Sequence, residues 1–302
     1  MNKLLGLTKR NLLVYFKDKS SVFFSVLTPI IIFALYILFL KDTYVSQIKD
    51  SAKGLEAFID VSDIENLTAS LLLAGILGSA LITIPFQALT TIVKDKEYKV
   101  DYDISATPIS RVNIILSYFF AAAISSFIMV LGVTLTGCMA IKAGGYDISV
   151  DSVLKLIPVI ALGSVSSSAL FMIIMMFFKS TGASSAFMGI LSAAAGFVIG
   201  AYIPLSNFSS TVESVCTMLP ATQVTSLIKK TLLTDNLSLI DAKIGGVDNG
   251  LFVQSMEKAF SVNPYFDGKA IDPGQSVIYV LAVFLVSVAA ISLIYPRVYK
   301  RK

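Results

Sequence analysis

Six stretches of the chain contain no Asp, Glu, Lys, Arg or His and are long enough to cross a bilayer: residues 20–40, 66–93, 112–141, 156–178, 180–212 and 273–296. A spanning helix needs roughly 20 apolar residues. In hydrocarbon each backbone amide must find a partner within its own segment, so runs of this length are predicted to be helices and not strands. The pattern predicts an all-α polytopic membrane protein with six transmembrane helices, one transmembrane domain over residues 1–302. Ahead of the first run, Leu5, Leu12 and Phe16 recur at helical spacing, with Leu4, Leu13 and Tyr15 beside them and Lys9, Arg10 and Lys17 elsewhere on the surface. That pattern suits an amphipathic helix within residues 1–19 lying along the membrane face; a plain basic topogenic tail is the alternative. No small-residue cleavage site follows the first run, so it reads as a mature helix and not a signal peptide.

Composition agrees: 55% of the 302 residues are hydrophobic and 15% charged, with a mean hydropathy of +0.79, where a water-soluble domain carries more charge. Histidine and tryptophan are absent and there are two cysteines, Cys138 and Cys216. Zinc sites and catalytic Ser-His or Cys-His pairs are thereby excluded, and no metal site is expected. The two thiols could meet if both lie on the outer side; two unpaired thiols is the plainer reading, because two cysteines make no framework. Net charge is +4, and the basic residues sit at membrane ends, not in an extended patch with interleaved aromatics, so nucleic-acid binding is not indicated.

Basic residues near membrane ends are retained on the cytoplasmic side, whereas acidic ones matter little. Lys3, Lys9, Arg10, Lys17 and Lys19 precede the first run; Lys94, Lys96, Lys99 and Arg111 lie in the second loop; Arg297, Lys300, Arg301 and Lys302 end the chain. With six crossings these share one side, so both termini are expected in the cytoplasm. Loop 41–65 (six acids, three bases), loop 142–155 and loop 206–272 then face outwards, and Lys179 to Gly182 make a tight cytoplasmic hairpin.

The second loop, residues 94–111, alternates charge densely and ends in Pro108 and Ser110, a helix stop and restart before the third crossing. It reads as a short solvated helix that presents both signs of charge, or as an ordinary hydrophilic connection. Its string Asp95-Lys-Glu97, Asp101 to Ile104 and Thr107-Pro-Ile-Ser-Arg111 resembles the loop between helices two and three of type-2 ABC export permeases. A second match, Gly200-Ala-Tyr-Ile-Pro204 followed by Leu219-Pro220-Ala-Thr222, is similar to that family's Pro-containing end of helix five with its broken helix pair.

The resemblance implies a bacterial plasma-membrane half-transporter whose coupling helix docks on a separate ATPase subunit, braced by the N-terminal helix. It implies that Asp95, Glu97, Asp101 and Asp103 face the ATPase, with Pro108 and Arg111 fixing the end of the segment. It implies a re-entrant hairpin after helix five; residues 234–272 are longer than in the shortest members and are expected to form a small external subdomain. No GxxxxGK[ST] phosphate cradle occurs, so this chain is not expected to bind ATP in that manner or to be an enzyme; ATP and Mg belong on the partner.

Helix five is rich in small residues, among them Gly182, Ser185, Gly189, Gly196 and Gly200, which allow close approach within the chain, at a seam with a second permease chain, or at a pathway wall. Helix two carries Thr83, Gln87, Thr90 and Thr91. These either hydrogen-bond to neighbouring helices or line a path; in the resembled family helices two and five flank it. The alternative class is an ion-coupled secondary transporter, which would need a charge or broken helix at mid-depth, and the six runs hold no charge. A membrane-bound enzyme fares worse, with no nucleophile and base to pair. Uncharged walls of Phe, Met, Ser and Thr suit an amphipathic or lipophilic cargo such as a drug, a peptide antibiotic or a lipid-linked molecule.

Overall fold

Asp18 separates the first two helices. Helix α1 (Asn2–Lys17) ends there, and the Asp18 carboxylate accepts the Ser21 N–H at 3.1 Å, capping α2 (Lys19–Leu35). The computed structural model describes residues 2–146 and 148–298. The side chain of Arg297 and residues Lys300, Arg301 and Lys302, expected at the cytoplasmic surface, lie outside the described part.

Helix α2 continues through a π-helical turn, Tyr36–Leu40, into α3 (Lys41–Ser51), so the first crossing is one rod over Lys19–Ser51. Then come α4 (Val61–Glu97), a short α5 (Val100–Ala106), α6 (Arg111–Ala143), α7 (Val150–Met175) and α8 (Thr181–Val198). Beyond them lie α9 (Ser210–Thr217), α10 (Pro220–Ile244), α11 (Leu251–Ala259), the two-residue strands β1 (Tyr265–Phe266) and β2 (Lys269–Ala270), and α12 (Pro273–Val298). Among the described residues six helices are long and apolar enough to span a membrane, in the order read from the hydrophobic runs. The protein is an all-α polytopic membrane protein.

Helix α4 is the axis of the bundle. It is apolar all round, its spanning stretch is wholly buried, and α2, α6, α7, α8 and α10 all pack on it. Small residues set the closest approaches: a Cβ on Gly78 would lie 2.2 Å from Thr225 Oγ1, and one on Gly163 would lie 2.8 Å from both Leu81 and Val224.

The fifth uncharged run, 180–212, is longer than its helix: α8 stops at Val198, close to the Gly200–Pro204 end read for helix five, because Gly200 takes φ +67° and the Gly196 carbonyl accepts the N–H groups of Ala201 (2.7 Å) and Tyr202 (3.0 Å). The chain resumes in α9 and turns at Leu219, with Pro220 at the first position of α10, where its missing N–H costs nothing. Helix α10 runs antiparallel to α4: Thr225 meets Gly78, Asn236 Nδ2 reaches Ser70 Oγ at 3.2 Å, and Lys243 pairs with Asp60 and Asp63 at 3.0 and 2.7 Å. Gly78 lies about 25 Å along α4 from Val61, so α10 begins near mid-depth and climbs out along the axis helix. The subdomain boundary expected at 234 falls inside α10, which is continuous to Ile244.

Lys229 corrects a further expectation. A charge buried within the bundle was not anticipated, yet Lys229 is only 3% exposed; its ammonium donates to the carbonyls of Gly200 (3.4 Å) and Phe260 (2.9 Å). Both carbonyls sit at helix C-termini, of α8 and α11, where the dipole favours a cation. Tyr44 on α3 donates to the Ala201 carbonyl at 3.0 Å, and Ser206 bonds to Ser261 Oγ and the Ala259 carbonyl. These bonds knot α3, the end of α8, α10 and α11 together. Cys138 is half-buried, Cys216 is buried, and both are free.

Candidate coupling site

The last turn of α4 reads Lys94-Asp95-Lys96-Glu97, and successive residues on a helix point about 100° apart. Each of the four therefore serves a different neighbour. Lys94 pairs with Asp18 at the start of α2 and lies 3.2 Å from Ser21 Oγ. Asp95, 4% exposed, is gripped by the guanidinium of Arg10 on α1, Nη2 to Oδ1 at 2.7 Å, and accepts the Tyr118 hydroxyl of α6. Lys96 donates to the carbonyls of Met176 (2.6 Å) and Phe178 (3.4 Å) where α7 ends. Glu97 accepts the Thr181 N–H at 2.8 Å where α8 begins. A cation at a C-terminus and an anion at an N-terminus both complement the helix dipoles.

Two further bonds complete this collar: Asn11 Nδ2 to Ser117 Oγ at 3.1 Å, and Lys3 Nζ to the Pro108 carbonyl at 3.1 Å. The protein-facing side of α1 is Thr8, Asn11 and Tyr15, all buried, while Leu5, Leu13 and Phe16 are exposed. The exposed apolar side chains of α1 thus face away from the bundle. The Arg10 guanidinium is held more firmly protonated, first by its hydrogen bond to Asp95.

Beyond the collar, Lys99 adopts φ 62° and turns the chain into α5. Tyr98 and Tyr102 are 72% and 69% exposed, and Lys99 and Asp103 are exposed beside them. Asp101 is half-buried with one carboxylate oxygen enclosed and without a hydrogen bond; burial pushes its pKa up. The acids expected to face a soluble partner thus differ in placement. Asp95 turns inwards, Asp101 is half-enclosed, Glu97 is exposed but bound to α8, and Asp103 alone of the four stands open. Pro108 and Arg111 flank the break before α6, which Ser110 caps by accepting the Asn113 N–H at 3.2 Å. The two exposed tyrosines were missed; their i, i+4 spacing on a charged segment was the available signal.

The family described as ABC-2 family transporter protein matches residues 46–294 of the 302. The chain belongs to this family. No curated protein and no solved structure matches it. The family match begins inside α3, so α1 and α2 precede it.

In this ABC-2 transporter the positions read as pathway candidates make contacts within the chain. Thr83 is fully buried and donates to the Ser25 carbonyl of α2 at 2.8 Å. Gln87 reaches Ser21 Oγ at 3.4 Å, and Thr90 donates to the Gln87 carbonyl at 2.7 Å. All three join α4 to α2 or to itself, the interhelical alternative of the two readings. Gly196 makes room for the Tyr202 ring, 2.3 Å from where a Cβ would sit, and Gly200 makes the left-handed turn. Both glycines are consumed within the chain, whereas Gly189 faces open space on α8.

Proposed function

We propose that this ABC-2 chain is the transmembrane permease subunit of an ATP-driven exporter in a bacterial plasma membrane, moving an amphipathic or lipophilic cargo outwards. ATP and Mg are bound and hydrolysed on a separate ATPase subunit, both termini are cytoplasmic, and a second permease chain, identical or related, completes the transporter. One observation carries the reading: α5 hangs from the end of α4, and the collar ties that end to α1, α2, α6, α7 and α8. Force applied to α5 reaches the buried axis of the bundle and, through it, every helix packed there. Uncharged, largely apolar span walls support an amphipathic or lipophilic cargo.

The ATPase contact is carried by Tyr98 and Tyr102, with Lys99 and Asp103 beside them, since large aromatic side chains supply most of the energy in such interfaces. Asp95 and Glu97 hold the contact in place from within. Replacing both tyrosines with alanine is expected to weaken recovery of the ATPase with the solubilised permease by about tenfold or more, with membrane insertion unchanged. Undiminished association and transport would return α5 to an ordinary connection. Pairing is assigned to the exposed small-residue face of α8 around Gly189, and Gly189→Leu is expected to reduce it.

Lys229 is the observation that favours an ion-coupled transporter, because a buried charge in a membrane bundle is kept for a function. Its acceptors are two backbone carbonyls, which makes it a structural tie and not a proton relay. Transport by reconstituted permease that runs on an ion gradient without ATP would establish the alternative.

A further inference from the structure

Helices α2 and α6 each pack on α4, and between them lies a groove of about 600 Å³ floored by Ile76. That volume falls in the range of ligand sites, about 300–1,000 Å³. It runs from Val26 to Phe33 on α2 and from Ile128 to Ala140 on α6. Its one lining side chain with a hydroxyl, Thr136, donates to the Gly132 carbonyl at 3.0 Å, so the walls are apolar. Gly132 opens it: a Cβ there would meet nothing within 4 Å.

Side-chain contacts join the surrounding helices beyond each end of the groove. Towards α3, Lys41 Nζ donates to the Tyr146 hydroxyl at 3.3 Å, bridging the ends of the first and third crossings, and Glu65 lies 3.9 Å away. Lys41, Glu65 and Lys142 are the first charged residues beyond the uncharged runs of α2, α4 and α6, and so mark the membrane interface. At the other end α1 packs on α6 and joins α2 through Tyr15 and Ser25, hydroxyl to hydroxyl at 2.9 Å. Along α6 the groove spans about 18 Å, at 1.5 Å per residue, somewhat more than half the roughly 30 Å hydrocarbon thickness. A partner's spanning helix would have to pass through the Lys41–Tyr146 bridge. A lipid chain descending from that interface would not.

We propose that the groove is a binding site for a phospholipid of the leaflet on the Lys41 side: one acyl chain lies between α2 and α6 over Ile76, and the phosphate accepts from Lys41 and Tyr146. Lys142 stands at the same level and adds positive charge. The site is independent of the coupling surface and of the cargo.

The full chain would be reconstituted in vesicles of phosphatidylethanolamine and phosphatidylglycerol holding a trace of phosphatidylglycerol with a photoactivatable acyl chain, and adducts mapped by mass spectrometry. Adducts are expected to concentrate on residues 26–33 and 128–140 over the lipid-exposed face of α12 at Ile278 and Leu285. Gly132→Phe, at a position where a Cβ meets nothing within 4 Å, places a ring in the groove and is expected to lower groove labelling about tenfold, whereas Leu135→Phe, on the exposed side of α6, leaves it unchanged. Gly132→Leu serves if the larger residue blocks insertion. A photoactivatable diacylglycerol with the same chains is expected to label weakly, and equal labelling would overturn the phosphate contact. Uniform labelling of all lipid-facing helices, labelling untouched by Gly132 variants, or crosslinks between two copies through the groove would each overturn the site.

Discussion

The collar at one end of the bundle and the Lys229 knot at the other fasten helix ends by different physics. In the collar, opposite charges meet: Arg10 with Asp95, Lys94 with Asp18. In the knot a buried ammonium has only carbonyls, at the C-termini of α8 and α11. Two charges brought together cancel most of their desolvation cost if geometry and remaining hydrogen bonds are good, but removing one partner strands the other. A lone ammonium on carbonyls has only their hydrogen bonds and helix dipoles to offset its desolvation, and its removal strands only neutral acceptors. The collar should therefore be stiff and intolerant of single changes, and the knot locally important but globally replaceable.

The sharpest way to break that contrast is at Asp95. Asp95→Ala leaves the Arg10 guanidinium and Tyr118 hydroxyl facing an empty site and is expected to cost about 3 kcal/mol, the low end for a broken buried pair because Arg10 is one-third exposed. Thermal unfolding of the detergent-solubilised protein measures it. Combining Arg10→Asp with Asp95→Arg should recover part of the loss. A loss under 1 kcal/mol would remove the collar's claim to rigidity.

At the knot, Lys229→Met keeps the stem and removes the ammonium. The carbonyls of Gly200 and Phe260 lose their donor, while the cost of burying a charge disappears, so overall melting should move little. Hydrogen exchange should show the local effect: amides around residues 259–262 are expected to exchange about tenfold faster, equivalent to about 1.4 kcal/mol of local opening. A large drop in global stability with no local change would make the knot a second collar.

The two regions also differ in how far they could be read from sequence. Charge density at 94–97 marked the collar as important, but the direction of each side chain was not legible, because it depends on which helices surround α4. Asp95 was accordingly read as facing a soluble partner when it faces α1 and α6. The knot was invisible for another reason. Lys229 lies in a stretch whose composition resembles a solvated loop, and only the dip of α10 to mid-depth beside α4 buries it. The six spans were legible because hydrocarbon enforces them residue by residue. Hydropathy alone does not mark the end of α8, since the residues after Gly200 remain uncharged; only the Gly200–Pro204 string, by its resemblance, placed it there. Gly196 and Gly200 carried the right signal, close approach, and of the readings left open the structure shows the one within the chain, at the Tyr202 ring for Gly196 and at Leu205 for Gly200.

A further effect, confined to acid pH, separates the regions. Hydrogen bonds from Lys94 and Ser21 overcome the opposing effect of burial and pull the Asp18 carboxyl down from 3.8 to about 2. A folded-state value below the unfolded one means the stabilisation is fully present above about pH 4 and is lost as pH falls through 2. Its size is at most about 2 kcal/mol by linkage. Asp18→Asn keeps an oxygen to cap α2 but cannot ionise, so this component of acid sensitivity should vanish in the variant while its N-cap survives. Unfolding midpoints of the two proteins should differ most at pH 5 and converge towards pH 2. The Lys229 knot, whose acceptors are carbonyls, contributes no such convergence, so exchange at amides 259–262 should keep the same difference between wild type and Lys229→Met at both ends of that window. If Asp18→Asn retains the full acid dependence, the pairing with Lys94 does not secure the start of α2, and the collar reduces to the Arg10–Asp95–Tyr118 cluster alone.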